Sequence, residues 1–131
     1  MDDPIVQQAL KAVVDILDNT RPQRVNIRAW NEIRTACGSC RPSLQAGDPD
    51  KVLNEVITVL GNTTPENANT VEWQAIREVC AAQLKSTAST KAKLVAVLTQ
   101  LSKTTPRENT LEWAAIRAVC AVQLQRLAET S

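Results

Sequence analysis

The sequence predicts an all-α protein, six helices arranged as three tandem helix–loop–helix units packed into one compact bundle. Three observations carry that reading. Trp occurs only at 30, 73 and 113, and each is followed by Ile at +3 (Ile33, Ile76, Ile116), Arg at +4 (Arg34, Arg77, Arg117) and Cys at +7 (Cys37, Cys80, Cys120). Upstream of each Trp an apolar i, i+3, i+4, i+7 run recurs: Leu10, Val13, Val14, Leu17; Leu53, Val56, Ile57, Leu60; Leu94, Val97, Leu98, Leu101. Between Asn69–Leu84 and Asn109–Leu124 twelve of sixteen positions are identical. A self-similarity of about 40 residues is the mark of a duplicated supersecondary unit. The units cover approximately residues 4–46, 47–87 and 88–131 of a single domain, 1–131.

Each element has a local reason. The apolar spacing of the first helix in each unit places four side chains on one face, which defines an amphipathic helix. Asn19-Thr20, Gly61 and Lys103-Thr104-Thr105, ahead of Pro22, Pro65 and Pro106, are read as their ends. A polar loop of about eight residues follows. Asn69 and Asn109 then cap the second helices, with Glu72 and Glu112 three residues on completing capping boxes. Asn26 lacks that partner, because Ala29 stands there. Trp, Ile and Cys form a second buried stripe, which Leu84 and Leu124 extend. In the first unit Cys37-Gly38-Ser39-Cys40-Arg41-Pro42 breaks the helix early. The expected helices are roughly residues 5–18, 26–37, 49–61, 69–86, 90–102 and 109–128. No such unit buries its apolar face alone, so the three must share a core. A short superhelical stack is the alternative, but three hairpins would leave its ends poorly capped.

Composition narrows the chemistry. The 131 residues carry 15 Lys+Arg and 14 Asp+Glu, with no His, Tyr or Phe. Without His there is no Ser-His-Asp triad, no imidazole metal ligand and no imidazole switch. No nucleophile–base pair, P-loop or GxGxxG is present, and no enzymatic activity, cofactor or metal is expected. No apolar run approaches the roughly 18 residues of a membrane span. Asp2 stands where N-myristoylation needs Gly. The reading is a cytoplasmic protein with reduced thiols.

Three candidate sites remain. Cys37 and Cys40 form a CxxC pair, but a four-Cys zinc site would need Cys80 and Cys120, which fall on the apolar stripe. A redox pair should precede a helix, where the dipole lowers a thiol pKa, and this one follows it. The expectation is therefore three core thiols, Cys37, Cys80 and Cys120, and one exposed, reactive Cys40. Arg34, Arg77 and Arg117 are expected to lay their stems along the apolar face and keep their heads in water. Charge is segregated: residues 19–46 sum to +4, with Arg21, Arg24, Arg28, Arg34 and Arg41 against Glu32, and residues 47–86 sum to −3. The basic segment is the candidate contact for an anionic partner, whether protein, RNA or lipid headgroups. Sequence-specific DNA reading is disfavoured, because a helix-turn-helix turn holds about three or four residues.

Leu60-Gly61-Asn62-Thr63-Thr64-Pro65-Glu66 leading to Glu72-Trp73-Gln74-Ala75-Ile76-Arg77 resembles the middle of retroviral, especially lentiviral, Gag matrix domains. Glu112-Trp113-Ala114-Ala115-Ile116-Arg117-Ala118-Val119 and Pro42-Ser43-Leu44-Gln45-Ala46-Gly47 are similar to further parts of them. The resemblance implies a compact helical globule that self-associates and meets anionic membranes through a basic face, here Arg21, Arg24, Arg28, Arg34 and Arg41, in a virion-associated setting. The leading functional expectation is a non-catalytic structural or self-assembly protein. The alternatives are a helical-repeat adaptor that binds protein in the groove between hairpins, and a thiol or zinc protein using Cys37 and Cys40.

Overall fold

The computed structural model of the chain describes residues 4–20, 27–63, 70–104 and 110–129, and these residues are helical with short connections. The elements are α1 (Pro4–Asn19), α2 (Ile27–Ser39), α3 (Arg41–Gln45), α4 (Pro49–Asn62), α5 (Thr70–Lys85), α6 (Thr90–Lys103) and α7 (Thr110–Glu129). Among them no helix is long and apolar enough to cross a membrane. The protein is all-α.

Helices α1, α4 and α6 carry the Leu/Val stripes, and each packs against the helix that bears the Trp of its own unit: α1 on α2, α4 on α5, α6 on α7. Each Trp-bearing helix also packs against the next stripe helix: α2 on α4, α5 on α6, and α7 back on α1. That last contact closes the arrangement into a ring, because the first and last helices meet. Inside the ring α1, α4 and α6 touch one another.

Trp30, Trp73 and Trp113 converge at the centre and are fully buried. Each pair of indoles meets edge to face, with ring centroids 5.4–5.5 Å apart and interplanar angles of 63–67°. This orientation turns the positive rim of one ring to the negative face of the next. The Nε1 atoms are buried with no conventional acceptor among the described residues. Ile33, Ile76 and Ile116 and the thiols Cys37, Cys80 and Cys120 complete the layer around the triad.

A second contact recurs around the ring. Thr20, Thr63 and Thr104, one residue past the stripe helices, are buried. Each amide donates to the Leu carbonyl three residues back, and each hydroxyl to the carbonyl four back (Ile16, Val59, Gln100) at 2.6–2.9 Å. The Thr carbonyl then accepts from the Arg of the paired Trp helix: Arg34, Arg77 and Arg117 donate through one guanidinium nitrogen at 2.8, 3.0 and 2.9 Å. A positive charge placed at a helix C-terminus also meets the negative end of its dipole. The expectation that these three heads lie in water is therefore corrected. Each is half-buried and ties the end of one helix to the flank of its partner.

The element boundaries carry three further corrections. Gly61 does not end its helix: α4 continues to Asn62, and Thr63 is the C-cap. Leu84 is exposed rather than part of the buried stripe, whereas Leu124 packs against the core and Leu127 is buried. The short α3 was not expected, and it makes seven helices of the described residues instead of six. It forms because the break after α2 is followed by Pro42 in a first turn. Gly47, at φ 75°, then turns the chain into α4 through a conformation that favours glycine. Asp48 caps α4 by accepting from the Lys51 amide. The proposed caps Asn26, Asn69 and Asn109 lie outside the described residues.

Removal of one indole leaves two ring faces without their partner edges. Trp73→Ala should destabilise the fold by about 3–5 kcal/mol. Urea unfolding followed by circular dichroism measures this, and a variant as stable as the parent would remove the triad from the core.

Candidate functional site

The described arginines of the expected basic face do not all lie open to solvent. Arg21 and Arg24 lie outside the described residues, and Arg28 is exposed at the start of α2. Arg34 is engaged by the Thr20 carbonyl and by the Asn31 side chain. Arg41 forks between two carboxylates of α1, donating to Asp15 at 2.9 Å and to Asp18 at 2.8 Å. The planar guanidinium suits this two-handed clamp, which pins α3 to α1. Gln7 adds a hydrogen bond from α1 to the Leu44 carbonyl. Two of the three described cations thus serve the fold.

The thiols are distributed differently from expectation at one position. Cys37, Cys80 and Cys120 are buried as expected, and burial pushes each up to about 12. Cys40, expected to be exposed and reactive, is buried as well, with its Sγ 3.2 Å from the Cys37 carbonyl. Burial raises its pKa, and the nearby Glu55 carboxylate adds to that shift. The physical reason is α3, which folds the residues after Cys40 against α1 and α4 and covers the sulfur. Among the described residues no three His, Cys, Asp or Glu side chains come together as a metal-holding group.

The larger feature is a set of three grooves, one between each Trp helix and the next stripe helix. They occupy equivalent positions in the ring: α2/α4, α5/α6 and α7/α1. Their volumes are unequal, about 770 Å³ for α2/α4 against about 480 and 440 Å³ for the other two. The difference tracks the residue at Trp+6 and, against the α7/α1 groove alone, the residue at Trp+9. At Trp+6 the α2/α4 groove has Ala36 where its counterparts have Val79 and Val119. At Trp+9 it has Ser39 where they have Ala82 and Val122. At Trp+6 the smaller Ala36 leaves open the space that Val methyl groups fill in both other grooves, whereas at Trp+9 only Val122 of α7 is larger than Ser39. Sequence reasoning did not single out this groove, although Ala36, standing where the other two units repeat Val, was its signal.

Electrostatics also set the α2/α4 groove apart. Asp48, Asp50, Glu55 and Lys51 line it, an excess of two negative charges. Glu55 Oε2 is buried with no hydrogen-bond partner among the described residues. The other grooves hold one ionisable side chain each, Glu78 in α5/α6 and Asp15 in α7/α1, and Asp15 is already paired with Lys11 and Arg41. Compared with protein-family models, with curated proteins and with solved structures, the chain matches none.

Two outcomes follow from these environments. All four thiols should react slowly with a disulfide reagent at pH 8 in the native state and rapidly once urea unfolds the chain; fast native labelling of Cys40 would place it at the surface. The second concerns Asp15. Burial works to raise its pKa, but hydrogen bonds from Arg41 and Lys11 prevail and hold it below the usual carboxylate range. A carboxyl lowered in this way stabilises the fold above its unfolded value of about 4 and loses that contribution as pH falls through the folded value. Arg41→Gln should therefore be less stable than the parent at pH 7, and the gap should narrow as pH drops below about 4. Urea midpoints measured across that range check it, and a gap independent of pH would show that the clamp contributes no linkage.

Proposed function

We propose that this protein is a non-catalytic helical binding module that docks a segment of another protein between hairpins, in the α2/α4 groove. One observation carries the reading: of three equivalent grooves this one has the largest volume, and at Trp+6 it carries Ala36 where both counterparts carry Val. A groove of this size, flanked by two long helices, suits an amphipathic helix read through i, i+3, i+4 and i+7 anchors. The surroundings are those of a docking surface. Its ionisable groups are carboxylates and one Lys, and burial raises the pKa of both Cys37 and Cys40 of the first unit.

A second reading, self-assembly in the manner of the matrix-like resemblance, has its own observation. Val71 and Leu111 occupy the same position of α5 and α7, two residues before Trp, and are 77% and 82% exposed. Large apolar side chains that protrude at equivalent points of a ring suit contact with further copies or with a lipid surface. Arg28, at that same position of α2, would add attraction to an anionic one.

The two readings separate in solution. For the docking module, sedimentation should give a concentration-independent monomer. A helical peptide taken from a display library should then shift backbone amide resonances mainly along α2 and α4. Concentration-dependent assembly that Val71→Ser with Leu111→Ser abolishes would replace this reading with the second one.

A further inference from the structure

The chemistry of the docked segment can be taken further, on the assumption that the α2/α4 groove is the docking site. Helix α4 forms one wall along its whole length, with Lys51, Glu55, Thr58 and Asn62 following one another at i+3 and i+4 spacing. From Asp48 to Asn62 that wall runs about 20 Å at 1.5 Å per residue, the length of a four-turn helix. The facing wall is α2 at Ala36 and Ser39, side chains small enough to admit another backbone closely. Its last turn presents the negative end of the α2 dipole. The positive start of α4 is offset by Asp48 and Asp50. The potential of the groove is therefore negative along both walls, and Lys51 is the one cation among its lining residues. Glu55 supplies a carboxylate oxygen that is buried without a donor among the described residues, and such an oxygen is most strongly satisfied by an ammonium or guanidinium.

We propose that the α2/α4 groove binds a basic amphipathic helix of a partner protein. Small apolar residues of that helix seat against Ala36 and Val59, and its Lys or Arg side chains pair with Asp50 and Glu55. Charge complementarity decides the occupant. An acidic segment would meet like charge along the full groove, and an uncharged one would leave the Glu55 oxygen unpaired at a cost.

The test uses the intact chain and a display library of 14-residue helical peptides, with Ala or Leu on one face and Lys or Glu randomised beside it. Binders should be enriched in Lys, and a synthetic binder with every Lys changed to Glu should bind at least about tenfold more weakly, a difference of about 1.4 kcal/mol. Ala36→Val with Ser39→Val sets both positions to the residues of α7, so the helix should fold with an unchanged melting temperature. It should nevertheless lose about tenfold or more in affinity, whereas Ala82→Val in the α5/α6 groove should lose nothing. Asp50→Asn with Glu55→Gln keeps the shape and should erase the preference for Lys. If binders show no excess of Lys and filling the groove still releases them, the basic partner is overturned and the docking reading stands. If binding ignores Ala36→Val with Ser39→Val, both fall. A dimer of the parent that the same pair of substitutions dissolves would make the occupant a second copy and overturn the basic partner as well.

Discussion

Three indoles meeting edge to face at the centre of the ring are the constraint on which the other contacts depend. A Trp side chain buries more apolar surface than any other, and three of them within 5.5 Å of one another commit their helices to a common axis. Once α2, α5 and α7 are held there, the position four residues after each Trp faces the end of the paired stripe helix. The Arg at that position then reaches a Thr carbonyl, and the Ile and Cys at +3 and +7 close the layer around the rings. A hairpin that lost its Trp would lose its direction as well as its burial. Ring closure also answers a problem of small repeat assemblies, exposed apolar ends, because α7 covers the flank of α1 that a stack would leave bare.

Departures from the repeat are confined to positions outside that layer, and they give the molecule its asymmetry. In the first unit the helix after Trp30 stops at Ser39, α3 folds over Cys40, and Arg41 holds it there through Asp15 and Asp18. This covering segment removes the one thiol that sequence position would have left available, and it leads directly into the acidic start of α4. The same unit carries Ala36 where the others have Val, so the stretch that ends α2 early also widens the neighbouring groove. One local divergence thus alters burial, charge and shape on a single side of the ring while the core stays as it is in the other units.

The arginines show why charge in a sequence and charge on a surface are different quantities. Residues 19–46 sum to +4, yet Arg34 and Arg41 spend their guanidinium groups on a helix end and on two carboxylates. Among the described residues the carboxylates that line the α2/α4 groove carry no such internal partners apart from the Asp48 cap. The local field that an approaching segment meets there is set by what the fold leaves unpaired, which is the negative side of the balance.

The sequence by itself determined the helical class, the positions of the long helices and the buried stripe from Trp to Cys. Periodicity and repetition are local signals that need no knowledge of neighbours. Tertiary structure alone decided that the three Trp meet, that Arg34, Arg77 and Arg117 end on Thr20, Thr63 and Thr104, and that Cys40 is covered. Each depends on contacts between segments 13 or more residues apart, and no spacing rule encodes the direction in which a guanidinium turns. The groove lies between these limits. Its α2 wall was visible as Ala36 where the repeat has Val, but the pairing of that wall with the acidic face of α4 appears only once the hairpins close into a ring.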